Sequence, residues 1–103
     1  MSEKEIDQKI GEAWKTHYKG EHARAIDMFT QLAQQAPDHV DVHWGLGLSY
    51  RTSGDLDKAV EAFKRAKALV EIEIEKNPSE YGRLFLLNRM INQQIDYVSD
   101  FFK

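Results

Sequence analysis

The four histidines are the first residues of this 103-residue chain that could do chemistry. His39 and His43 stand four apart, a spacing at which one helix face can present two imidazoles to a metal. Asp38 and Asp41 lie close by, but His39 falls at an expected helix start and no third ligand is evident. The pair reads as a solvated edge, and no metal is expected. His17 and His22 straddle an expected turn and read as surface or edge residues. Serine, aspartate and histidine occur without a nucleophile elbow or a triad spacing. Gly45-Leu46-Gly47 begins like a dinucleotide loop, yet it has no strand before it and no third glycine. Lys58, Lys64, Arg65 and Lys67 could bind phosphate, but Glu61 and Glu71 interleave with them. Glu61 stands four residues before Arg65, a favourable helical pair, so this is a mixed-charge face in water. No catalytic residue, cofactor or enzyme activity is expected.

Bulk composition narrows the field further. The length suits one domain, taken as residues 1–103, with a modest core. A net charge of −3 argues against nucleic acid, whose binders carry a basic footprint. The absence of cysteine removes disulfides and zinc-thiolate sites. No apolar run approaches a membrane span, so no membrane partner is expected. The polar, acidic start MSEKEIDQK is unlike a secretory signal, which makes a cytoplasmic location the expectation.

The elements that would position any site show up as a repeat. A shift of thirty-four residues lays Ile6 on Val40, Asp7 on Asp41, Ala13 on Gly47 and Gly20 on Gly54. It also lays Ala25 on Ala59, Ile26 on Val60, Asp27 on Glu61, Phe29 on Phe63 and Leu32 on Ala66. With Leu46-Gly47, Tyr50, Gly54, Ala59 and Phe63 at matching intervals, residues 6–71 resemble the tetratricopeptide repeat. His43 and Glu71 depart from that pattern where it has Trp and Pro, and the first copy has Glu12 and Thr16 in place of Leu and Tyr. Polar departures suit a terminal repeat with one face in water.

The resemblance implies an all-α fold of helical hairpins in a right-handed superhelical stack, closed by a long C-terminal capping helix. The first repeat is placed at 4–37, with helices about 4–18 and 22–35. The second is placed at 38–76, with helices about 40–52, capped by Asp38, and from near Asp55 onward. No stop signal precedes Asn77-Pro78, so the second helix overruns the usual repeat by about two turns. VEIEIE within the overrun alternates like a strand, but a lone strand would have no partner, and helix is expected. The last segment, 79–103, is expected to be a helix capped by Ser79 and running through Phe102. Leu84, Leu87, Ile91, Ile95, Val98 and Phe102 form its stripe, with Phe85, Leu86, Met90, Tyr97 and Phe101 outside it. Gly54 is expected to end the third helix in a left-handed conformation, and Phe29, Phe63, Ala25, Ala59, Leu46 and Tyr50 to be core.

The resemblance also implies a concave groove lined by the first helix of each repeat. Its expected residues are Ile10, Trp14, His17 and Tyr18, then Trp44, Gly45, Leu48 and Arg51. Gly45 is assigned to the concave side because no packing position of the pattern asks for it. The implied function is a protein-interaction module, a small adaptor or assembly factor, holding a peptide or helix by Trp14 and Trp44. The chain's own last helix covering these tryptophans is the competing expectation. Some relatives grip a C-terminal carboxylate with lysine, asparagine and arginine, but the corresponding places here hold Ile10, Trp14 and Gly45. Only Arg83 or Arg89 could supply such charge, so that clamp is not carried over. A second reading is a structural homo-oligomer associating through the C-terminal helix and groove, with Tyr81, Leu84, Phe85, Ile72 and Ile74 at its contact. A remote third is a small metal protein or enzyme using the histidines.

Overall fold

A computed structural model describes residues 2–100, and among these residues every regular element is helical. Helix α1 spans Glu3–Tyr18, α2 His22–Gln35, α3 Val40–Ser53, α4 Leu56–Lys76 and α5 Tyr81–Ser99. One 3-10 turn, Pro78–Glu80, leads into α5. Expectations for Phe101 and Phe102 lie outside the described residues.

The helix ends follow local chemistry. Ser2 caps α1 by accepting the Glu5 N–H at 3.2 Å, and Asp55 caps α4 by accepting the Lys58 N–H at 3.3 Å. Gly54 closes α3 at φ 91°, where only glycine is unstrained, and its N–H reaches the Arg51 carbonyl at 3.1 Å. Two expected caps are not formed. His39, not Asp38, is the residue before α3, and it makes no side-chain cap. Asp38 instead faces Arg65 of α4 at 3.3 Å. Ser79 lies inside the 3-10 turn, because Pro78 starts that turn before the α-helix begins. The VEIEIE stretch is helical, since α4 runs through it unbroken to Lys76.

Two apolar clusters hold the helices together. Ile10 and Ala13 of α1, Ala25, Phe29 and Leu32 of α2, Val42 and Leu46 of α3 and Ala62 of α4 form the first. Ala59, Phe63, Ala66 and Val70 of α4 with Leu84, Ile91 and Val98 of α5 form the second. Phe29 and Phe63, one repeat apart, are each fully enclosed. Tyr50 packs against both clusters and joins them.

Both helical glycines of α3 serve this packing. A Cβ at Gly47 would stand 2.4 Å from the Phe63 ring, and a Cβ at Gly45 2.4 Å from the Phe29 ring. Carbons in contact sit about 3.5 Å or more apart, so neither site has room for a methyl group. Gly47 lets α3 approach its own hairpin partner α4. Gly45 lets it approach α2 of the preceding hairpin. The concave assignment of Gly45 is therefore corrected: it is buried between hairpins and offers nothing to a ligand.

Helix α5 packs along α4 and also reaches α3. The Arg51 guanidinium donates to Gln94 Oε1 at 2.8 Å and lies 4.3 Å from the centre of the Tyr97 ring. Helix α5 thus packs on α4 and is tied to the end of α3 through Arg51.

Candidate functional site

Helical periodicity divides each of α1, α3 and α5 into a packed face and a face turned to the hollow of the stack. On α1 the packed face holds Ile10 and Ala13, and on α3 it holds Val42, Leu46 and the two glycines. Trp14 and Tyr18 follow Ile10 at intervals of four, at the edge of the packed face of α1, and Trp44 and Leu48 form a half-buried pair on α3. Leu84, Ile91 and Val98 are buried on α5, which turns Leu86, Met90 and Tyr97 outward. The contact of Tyr97 with Arg51 brings the C-terminal end of that outward face next to α3.

The first wall is aromatic. Trp14 stacks on Tyr18 with ring centres 5.8 Å apart and planes at 24°. Its edge meets the buried Phe29 at 5.4 Å. Trp14 is half-buried, anchored below by the core and above by a tyrosine that is 78% exposed. Such a pair offers a rigid apolar surface at low entropic cost to a binding partner. Trp44 is also half-buried, and its ring centre lies 5.5 Å from that of Phe63. Trp44 and Leu48 pack against the cluster that includes α5. Trp44 thus belongs to the α4–α5 core, whereas the cluster that Trp14 packs against holds no α5 residue among those described.

His17 joins the two walls. Its Nδ1 lies 3.2 Å from the Ser49 hydroxyl, and Ser49 is fully buried. Burial, and second the nearby His22, hold the His17 pKa below the usual histidine value. This hydrogen bond between the neutral ring and the Ser49 hydroxyl ties α1 to α3.

Several expected site residues are placed differently. Ile10 is buried in the first cluster, because its side of α1 faces α2 and α3. Arg51 is engaged by Gln94 and Tyr97, so it braces α5 and does not stand ready for a ligand. The five residues expected at a self-association contact differ in exposure. Leu84 is buried and Ile74 half-buried against the α4–α5 core. Ile72 lies beside Leu69, Arg65 and Asp38, around the other side of α4. Only Tyr81 and Phe85 are exposed as a pair, stacked at 5.7 Å. Leu86 and Met90, expected as apolar surface outside the stripe, are exposed on the side of α5 away from its core. Their spacing of four with each other, opposite Leu84 and Ile91, is the signal that marks them.

His43 and His39 each have a polar partner, while the buried His22 Nδ1 has none. His43 Nε2–H donates to the Pro37 carbonyl at 2.7 Å, and His39 Nε2 lies 3.8 Å from an Asp7 carboxylate oxygen. Among the described residues no group of three histidines, cysteines or carboxylates could hold a metal ion.

A family model described as the tetratricopeptide repeat matches residues 18–71, more than half of the chain. The chain belongs to the tetratricopeptide repeat family. The match runs from the end of α1 through α2 and α3 into α4, the span that contains both phenylalanines and both packing glycines. Repeats of this family generally mediate contacts between proteins and are typically not catalytic. No curated protein and no solved structure matches the chain. None of the described helices is long and apolar enough to cross a membrane.

Proposed function

We propose that this tetratricopeptide repeat protein is a small adaptor that holds an apolar peptide or helix against its concave face, as one folded unit over residues 1–103. The observation that carries the reading is the Trp14–Tyr18 stack, mounted on the buried Phe29, with Tyr18 largely exposed. Aromatic and methionine side chains on a rigid support are the usual anchors of protein interfaces. Trp44 contributes as part of the floor. Gly45 and Ile10 contribute only through packing. The chemistry of the wall favours an occupant with leucine-like or aromatic side chains at helical spacing.

Selection from a displayed library of amphipathic peptides tests this reading. Bound sequences should quench or shift Trp14 emission in a Trp44→Phe background. Leu48→Asp should weaken the same peptides at least tenfold while leaving the far-ultraviolet circular dichroism unchanged. Peptides that bind wild type and Leu48→Asp equally would place the site elsewhere.

A further inference from the structure

The outward side of α5 carries a pattern of its own, away from the Trp14–Tyr18 stack. Leu86, Met90, Gln93 and Tyr97 follow one another at intervals of four, three and four residues. That is the seam spacing of a two-helix coiled coil. Leu86 is 59% exposed and Met90 and Tyr97 are each 49% exposed, with Arg51 resting on the Tyr97 ring. It extends about 17 Å, or three turns.

We infer that this seam pairs with the same seam of a second copy, the two α5 helices running antiparallel about a two-fold axis near Ile91 and Asn92. The charges beside the seam choose this occupant and this direction. Arg89 and Asp96 lie seven residues apart on one flank, each just before a seam residue. In an antiparallel pair this flank meets its own copy. Leu86 then lies against Tyr97 of the second copy, Met90 against Gln93, and Arg89 within reach of Asp96, twice over by symmetry. The remaining offset between Arg89 and Asp96 is two residues, about 3 Å along the axis, well within the reach of arginine. A parallel pair would set Arg89 beside a seam edge that holds no acidic residue at matching height. Neither Arg89 nor Asp96 forms an ion pair within the described residues of the chain. A seam this short makes a reversible dimer, which a symmetric, self-complementary patch permits.

Sedimentation equilibrium on the full chain, from low micromolar to near-millimolar concentration, tests the inference. Wild type should show a reversible monomer–dimer equilibrium. Met90→Glu should be monomeric throughout, with an unchanged thermal melt because Met90 lies outside both core clusters. Arg89→Asp and Asp96→Arg, each alone, should weaken the dimer several-fold, and the double reversal should restore it. Tyr18→Ser, on α1, should leave association unchanged and so separates this seam from the Trp14–Tyr18 stack. A wild-type monomer at every concentration would overturn the inference. So would a dimer indifferent to Met90→Glu, failure of the double reversal to restore pairing, or a dimer lost in Tyr18→Ser.

Discussion

Gly11 and Gly45 lie one repeat apart, each inside a helix, and alanine should act on them with opposite sign. In either helix the change from glycine to alanine favours folding by about 1 kcal/mol through the backbone alone. A Cβ at Gly11 meets nothing within 4 Å, so Gly11→Ala keeps the whole gain. At Gly45 the new methyl lands 2.4, 2.5 and 2.9 Å from three carbons of the Phe29 ring. The ring or the helix must withdraw by about 1 Å to restore ordinary contact. Phe29 is fully enclosed, so withdrawal disturbs a close-packed interior. Overpacking of this kind costs about 1–3 kcal/mol, and a clash with three ring atoms belongs at the upper end. After the backbone gain is subtracted, Gly45→Ala should lose about 2 kcal/mol. The two variants should therefore differ by about 3 kcal/mol. Urea unfolding reads this as midpoints moving in opposite directions at constant slope. In a Phe29→Leu background the cost of Gly45→Ala should shrink, since the two sites share one contact. Equal stability of Gly11→Ala and Gly45→Ala would refute the close approach of α3 to α2.

Three further outcomes follow from the same geometry. Phe63→Ala should cost about 3–5 kcal/mol in urea unfolding, because the enclosed ring fills the space between α3, α4 and α5. Gly54→Ala should cost about 1 kcal/mol, since its φ of 91° strains any residue with a Cβ, and the loss should show as a lower thermal midpoint. Stability should fall on acidification: His17 has a folded pKa below its unfolded 6.5, so the unfolded chain takes up the proton first. The His17 contribution is therefore full above pH 6.5 and is lost as pH falls through the lower folded value. His17→Gln should flatten that part of the stability profile, read from melts on either side of pH 6.5.

Some of this protein was legible in its residues alone. The thirty-four-residue recurrence of small, aromatic and glycine positions specifies paired helices, because each interval returns the same side chain to the same hairpin contact. Pro37, Gly54 and Pro78 mark the breaks by constraints on single residues, which act before any tertiary contact exists. The helical state of Val70 to Glu75 follows from the lack of any breaker or strand partner. Which side of each helix is buried was a different matter. Gly45 looked spare because its partner is a phenylalanine sixteen residues earlier in a neighbouring hairpin, and Ile10 looked like groove because its cover comes from α2 and α3. Arg51 looked free until α5 supplied Gln94 and Tyr97. Local sequence sets helix ends and periodicity through short-range sterics and hydrogen bonds. The rotation of each helix about its axis depends on side chains brought together from distant parts of the chain, and it is this rotation that selects the surface left for binding.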